Sequence, residues 1–300
     1  MDTKNLIPLL AMPLLLLAVE IGAILLSLPV KASGIVAFED PSSMENPVIF
    51  IAILLGFTIF LLILIKFNLK KVIAFVIGLS IFFTFAYIYA ALVYAGMGPT
   101  DAATVIAFVL AVLSTLLLYK YPEWYVIDSL GVLIGAGVAS IFGVSLEVLP
   151  VVVLLILLAI YDAISVYKTK HMITLAEGVI DLKTPILFVI PKKRDYSFIR
   201  DGIGKLQGED GEAGGERGAF IIGMGDLIMP AILVVSANVF LKGAKLGGII
   251  NLPALGAIIG SVAGLTVLLY FVMSGKPQAG LPPINGGTIL GLLAGMALMG

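Results

Sequence analysis

The chain has 300 residues, of which 60% are hydrophobic and only 12% are charged, and its formal net charge at pH 7 is -1. This apolar content is more than one water-facing core can bury, so it predicts a protein that lies in the lipid bilayer. The near-zero net charge gives no electrostatic reason to expect nucleic-acid binding. The absence of cysteine and the single histidine exclude disulfides and thiolate chemistry and argue against a metal site, so we expect no cofactor and no metal.

Apolar stretches long enough to cross a bilayer recur along the whole chain. A transmembrane helix needs about 20 mainly apolar residues. Nine stretches meet this requirement, and they are called spans 1 to 9 here: 6–28, 47–67, 71–96, 100–119, 124–143, 146–167, 219–241, 247–273 and 281–299. The sequence therefore predicts an all-α membrane protein of nine transmembrane helices. Its expected parts are a six-helix block (1–167), a loop (168–218) and a three-helix block (219–300).

The distribution of lysine and arginine predicts the orientation of the spans. Fifteen of the 18 basic residues fall on the side that holds the N-terminus and the loop between spans 6 and 7, and nine of these lie in that loop. Cytoplasmic loops of membrane proteins carry the excess of basic residues. We therefore expect a multi-pass cell-membrane protein with its N-terminus and this loop in the cytoplasm and its C-terminus outside.

The loop at 168–218 is the longest polar stretch of the sequence. Within it, residues 184–191 place six apolar residues between two prolines, which is too short to span a membrane and typical of a β-strand. Residues 192–218 are rich in charge and glycine, so we expect them to be solvated and mobile. Whether this segment gates the entry of a substrate stays open.

Glycines recur at a spacing of four residues in three of the spans. Small residues at this spacing let helices pack closely in lipid. The sequence therefore predicts packing faces at Gly131 and Gly135, at Gly256, Gly260 and Gly264, and at Gly287, Gly291 and Gly295.

Two aspartates lie inside stretches that otherwise have the composition of membrane spans. Asp162 follows Tyr161 in span 6, and Asp226 follows Gly223 and Gly225 in span 7. A carboxyl group in hydrocarbon costs about 2.5 kcal/mol or more, so such residues pair, bind a ligand or take part in chemistry. The two glycines leave the backbone bare beside Asp226, where another chain could approach closely.

Two carboxyl groups within about 3–6 Å of each other can share one proton and titrate as a unit. The ionised member takes a proton from water while the neutral member donates to a carbonyl oxygen, which needs neither metal nor cysteine. A proton- or cation-coupled transporter or channel is the alternative, because buried acids and helices broken by glycine and proline also suit translocation. A hydrolase needs Asp162 and Asp226 close together, whereas a relay can spread its acids along a path.

The remaining acids within spans have simpler explanations. For Glu20 in span 1 an interhelical hydrogen bond is the more economical reading, and its role is otherwise open. Asp128 lies near the end of span 5, where we expect its side chain to reach headgroups or water.

Two motifs resemble those of the presenilin and signal peptide peptidase family of intramembrane aspartyl proteases. Tyr161-Asp162 resembles the family's YD motif, and Gly-Met-Gly-Asp at 223–226 resembles its GxGD motif. The nine spans, the long loop after span 6 and the presenilin-like orientation are also similar. The resemblance implies catalytic roles for Asp162 and Asp226 and substrate contacts for Tyr161, Gly223 and Gly225. Prepilin-type peptidases also use GxGD, but they usually carry cytoplasmic cysteines and a basic residue soon after the motif.

The family's third motif is Pro-Ala-Leu near the start of the last span. A literal Pro-Ala-Leu occurs at 253–255, one span too early. We align residues 279–282 with the family's Pro-Ala-Leu-Pro, although alanine replaces its proline and glycine replaces its alanine. We expect residues 277–285 to be non-helical, to line the site and to pair with an extended substrate. The residues to which the resemblance assigns substrate binding are Ala279, Gly280, Leu281 and Pro282.

The resemblance implies an aspartic endopeptidase that hydrolyses peptide bonds of single-span transmembrane substrates. The substrate helix would be unwound beside the aspartates, because an intact helix shields its scissile carbonyls, and residues 184–191 would help to hold it. Resemblance to archaeal and microbial members implies that no obligate partner subunit is needed, and a homo-oligomer stays open.

Overall fold

The computed structural model describes residues 3–169, 187–192, 195–202, 218–243, 245–272 and 278–298. Most of the loop predicted to be mobile therefore lies outside the described residues. The described elements are α1 (Thr3–Ser33), α2 (Glu45–Lys66), α3 (Lys70–Met97), α4 (Asp101–Lys120), α5 (Trp124–Ser145), α6 (Val148–Ile164), β1 (Leu187–Pro191), α7 (Phe198–Asp201), β2 (Ala219–Gly223), α8 (Met224–Phe240), β3 (Lys245–Leu246), β4 (Ile250–Asn251), α9 (Leu252–Val272) and α10 (Leu281–Ala297).

The protein is mainly helical, and the prediction of nine membrane-spanning helices is met in part. Ten α-helices are present in the described ranges, one of them the single turn α7. Seven helices, α1 to α6 and α9, are long and apolar enough to cross a bilayer. The apolar helices α8 and α10 have 17 residues each, whereas α6 reaches 21 residues because the helical turn after it continues the span to Lys168.

The helices of predicted spans 7 and 8 begin later in the chain than the sequence suggested. Residues 219–223, expected to open span 7, form strand β2, and the helix begins at Met224. Residues 247–251 lie in the β3–β4 hairpin, and the helix of span 8 begins at Leu252. A short apolar run has no periodicity that separates strand from helix, so only pairing with another strand decides.

The strand predicted within 184–191 is confirmed by β1, which pairs antiparallel with β2. The register sets Leu187 opposite Gly223 and Val189 opposite Ile221. One face of this two-stranded ribbon packs into the main core through Phe188. Val189, on the other face, belongs to a second apolar cluster that includes residues of α5. Both faces of β1 are thus buried within the bundle.

The glycine faces predicted in spans 8 and 9 form a close helix–helix contact. A Cβ atom built on Gly260 would overlap the carbonyl oxygen of Gly287, and one built on Gly256 would overlap that of Gly291. Helices α9 and α10 therefore pack antiparallel with their backbones in direct contact, as small residues permit in lipid. Helix α1 packs against α3, α5, α8 and α9, so it lies at the centre of the bundle.

Candidate active site

Asp162 lies in the last turn of α6, which ends in a π-helical turn at Ser165–Thr169. The run of leucine, isoleucine and valine before it buries this helix against α8 and α10. The Asp162 carboxyl is itself buried, with 6% of its surface exposed. Its Oδ2 accepts a hydrogen bond of 3.0 Å from the backbone N–H of Leu281. Single π-helical turns are frequently found at functional sites.

Asp226 lies in the first turn of α8, directly after strand β2. Gly223 ends the strand and is the residue before the helix, so the GxGD motif spans a strand-to-helix junction. A carboxyl group in the first helical turn is near the positive end of the helix dipole. Asp226 is half-buried and Gly225 is exposed, and a Cβ on Gly225 would meet no described atom within 4 Å. The second glycine of the motif therefore borders space next to the carboxyl group that no described residue fills.

The two carboxyl groups meet at consecutive residues at the start of α10, of which Gly280 precedes the helix and Leu281 is its first residue. Leu281 donates its N–H to Asp162, and a Cβ built on Gly280 would lie 2.8 Å from Oδ2 and 3.0 Å from Cγ of Asp226. The two groups are also close enough to interact electrostatically. A hydrolase needs two acids near each other, whereas a relay can use acids that are spaced apart. Because Gly280 has no side chain, the Asp226 carboxyl group can occupy the space beside it.

The segment expected to be non-helical is so only in its first part. Residues 278–280 are irregular, but α10 begins at Leu281, with Pro282 in its first turn. Proline is favourable there, because its fixed φ suits a helix and its missing N–H would have no partner inside the helix. The expectation for 281–285 was therefore wrong.

The literal Pro-Ala-Leu sequence lies far from the two aspartates. Pro253 is in the first turn of α9, and a Cβ on Gly295 would lie 2.8 Å from its Cα. Gly295 and Leu281 are separated by 14 residues of α10, which is about 21 Å along a helix axis. Two residues of the tetrapeptide 279–282, Gly280 and Leu281, lie beside the carboxyl groups, whereas the literal Pro-Ala-Leu sequence does not.

Comparison with known proteins identifies the family. A family model described as "Signal-peptide peptidase, presenilin aspartyl protease" matches residues 12–300. The chain belongs to this family. The prediction of an intramembrane aspartyl protease is thereby confirmed, and the transporter alternative is set aside.

Two solved structures of such proteases cover almost the entire chain. Each is described as a presenilin family intramembrane aspartate protease, one in space group C222 and one in P2. The first is 52% identical, covers 97% of this chain and 99% of its own and has a TM-score of 0.71. The second is 53% identical, covers 97% and 98% and has a TM-score of 0.70. A search of curated proteins gave no significant match.

In this presenilin-family protease, Tyr167 is a site residue that the sequence interpretation missed. Its hydroxyl donates to Gln278 Oε1 at 2.9 Å and accepts the N–H of Ala279 at 3.2 Å. In a regular α-helix, residues five positions apart, such as Asp162 and Tyr167, point about 140° away from each other. The wider π-helical turn reduces this angle, so both can contact the segment before α10. No local pattern in the sequence predicts the π-helical turn.

Asp128 is a second residue whose position differs from the expectation. It was expected to reach headgroups or water, but its half-buried carboxyl Oδ1 accepts the backbone N–H of Val189 in β1 at 2.8 Å. Sequence alone could not supply this partner, because the contact joins residues 61 positions apart.

Glu20 is fully buried in α1. Ser261 of α9 is its polar neighbour, but the Ser261 hydroxyl donates to the carbonyl of Ile258. Neither carboxyl oxygen of Glu20 therefore accepts a hydrogen bond from any residue that the structure describes. The expected interhelical neighbour is present, but the expected hydrogen bond is not formed.

Proposed function

We propose that Asp162 and Asp226 are the catalytic pair of this protease. The observation that carries the proposal is their meeting at Gly280 and Leu281, where one carboxyl accepts a backbone N–H and the other fits against a glycine. Tyr161, which is partly buried next to Asp162, and the motif glycines would line the space for the substrate backbone.

The reaction follows from two carboxyl groups that hold one proton between them. The ionised group accepts a proton from water as the water oxygen attacks the scissile carbonyl carbon, and the neutral group donates its proton to the carbonyl oxygen. The tetrahedral intermediate then collapses. The carboxyl group that took the proton from water gives it to the nitrogen, one hydroxyl of the intermediate returns a proton to the other carboxyl group, and the C–N bond breaks. The products are a carboxylic acid and an amine, and no other reactant is consumed.

The substrate is proposed to be a single transmembrane helix that unwinds and adds as a strand to the β1–β2 ribbon. Val189 donates its N–H to Asp128, so Val189 and Ile221 form a pair whose backbone groups point away from each other. The outer edge of β1 is thus occupied by α5, whereas that of β2 has no partner among the described residues. A substrate strand on β2 would run directly toward Asp226, which follows that strand by three residues.

The same proposal includes the arrangement in the membrane. A helix of 17 residues is about 25 Å long, close to the roughly 30 Å hydrocarbon core, so α8 and α10 can complete nine spans. The excess of basic residues favours a cytoplasmic N-terminus and 168–218 loop and an external C-terminus. The chain is proposed to act without an obligate partner subunit, which a sedimentation measurement on the active species can test together with its oligomeric state.

Cleavage of a purified single-span peptide by the full chain in detergent tests the function. Wild type should cut the peptide, and a transition-state analogue with a hydroxyl at the scissile carbon should inhibit it. Asp162→Asn and Asp226→Asn should each abolish turnover while leaving the melting temperature close to that of wild type, because an amide has nearly the same shape but cannot transfer the proton. Near wild-type turnover in either variant would refute the catalytic pair. Asp101→Asn, at the exposed start of α4, is the matched control.

A further inference from the structure

Two acidic side chains at the start of α5 contact the loop between α6 and α8 and have no part in the reaction described above. Asp128 Oδ1 accepts the N–H of Val189 in β1 at 2.8 Å. Glu123, which precedes the helix, accepts the Ser197 hydroxyl at 2.6 Å and the Phe198 N–H at 3.0 Å. The loop is therefore hydrogen-bonded to Asp128 of α5 and to Glu123 just before it. An unpaired N–H on a buried strand would be unfavourable, so the Asp128 contact determines where β1 can lie.

The position of β1 affects the position of Asp226, because β1 is joined to Asp226 through β2 and the first turn of α8. β1 is paired with β2 along its whole length, with Val189 opposite Ile221 and Leu187 opposite Gly223. The residue after Gly223 begins α8, and Asp226 is in the first turn of that helix. Hydrogen-bonded strands move together, so a shift of β1 relative to α5 also shifts the junction that carries Asp226.

A second contact of α5 supports the same placement. Gly131, one turn beyond Asp128, faces both Phe188 of β1 and Met224 at the start of α8. A Cβ built on Gly131 would lie 3.0 Å from the Phe188 ring and 2.8 Å from the Met224 Cε. The absent side chain lets the strand and the helix start approach the α5 backbone. Helix α5 thus contacts β1, the strand that pairs with β2, and the start of α8, where the GxGD motif lies.

We propose that Asp128 is a positioning residue for the reaction, which holds β1 against α5 and thereby sets the place of Asp226 opposite Asp162. Its carboxyl group also occupies the outer edge of β1 and leaves the edge of β2 for the substrate strand. The inference rests on the proposed catalytic pair, but it concerns the geometry of that pair and not its chemistry.

The test compares two replacements of similar size in the full-length protein. Asp128→Asn keeps a carbonyl oxygen that can accept the Val189 N–H, whereas Asp128→Leu has no acceptor. Turnover of a single-span peptide is measured per active site, with the sites titrated by a tight-binding transition-state analogue. The leucine variant should lower kcat by about tenfold or more, since the loss of one hydrogen bond to a buried group corresponds to such a factor. The asparagine variant should stay within about threefold of wild type.

Titration of active sites separates positioning from folding, because a purely structural defect lowers the number of sites and leaves kcat per site unchanged. Asp128→Ser, whose shorter side chain cannot reach the strand, should reproduce the loss if the leucine variant does not fold. Unchanged kcat per site in the leucine and serine variants would overturn the proposal, as would an asparagine variant impaired as severely as they are. Residual activity in the Asp128 variants, against none in Asp162→Asn, distinguishes this inference from the catalytic pair itself.

Discussion

Replacing Tyr167 by phenylalanine removes one oxygen atom and tests how α6 holds the segment before α10. The hydroxyl joins α6 to Gln278 and Ala279, next to Gly280, which lies against Asp226. The ring and its packing stay the same in the variant. Any change in activity therefore reports on the two hydrogen bonds.

The size of the effect follows from the exposure of the two partners. Tyr167 is 57% exposed and its bond to Gln278 lies at the surface, so water can replace it. Ala279 is only 3% exposed, and its N–H loses its acceptor in the variant. One such hydrogen bond contributes about 1 kcal/mol net, which corresponds to about a fivefold decrease in kcat/KM.

The assay is steady-state cleavage of a single-span peptide in detergent, with the melting temperature measured in parallel. Tyr87→Phe is the matched control, because Tyr87 is similarly exposed at 56% on α3 and has no hydrogen bond among the described residues. The Tyr167 variant should lose about fivefold, and the Tyr87 variant should match wild type. Equal activity of the two variants would show that the hydroxyl does not hold the segment in place.

Two further substitutions examine the third motif and the glycine faces. Leu281→Lys should reduce cleavage by more than about tenfold, because it puts a long charged side chain on the residue whose N–H Asp162 accepts. Leu255→Lys, equally half-buried in the first turn of α9, should reduce cleavage less. Equal losses would contradict the placement of the motif. Gly260→Ala should destabilise the protein by about 1–3 kcal/mol in thermal or denaturant unfolding, since its methyl group overlaps the α10 backbone. Gly78→Ala, where no described atom lies within 4 Å, should be neutral or slightly stabilising, and a matching loss there would argue against the helix contact.

Much of the fold was predictable because its signals are local. The length of an apolar run indicates a membrane helix, so the first six helices were assigned from hydropathy alone, with boundaries close to those observed. Prolines on both sides of a short apolar run indicated β1. The predicted start of α8 was too early, because the apolar residues of β2 continue into the helix without a change in composition and a local signal cannot separate the two. Pairing with β1, which lies in a distant part of the chain, determines the strand.

For the site, the sequence determined which groups are present, and the tertiary structure decided which of them meet. Carboxyl groups are too unfavourable in hydrocarbon to be incidental, so Asp162 and Asp226 were identifiable from composition and motif alone. Their contact with the start of α10 joins residues as far as 119 positions apart, and it depends on the packing of α6, α8 and α10. Tyr167 was overlooked, and Asp128 was expected to reach headgroups or water, because a single polar side chain carries no sign of the backbone N–H that it will accept. Such pairings are decided by the arrangement of the helices, which no window of neighbouring residues contains.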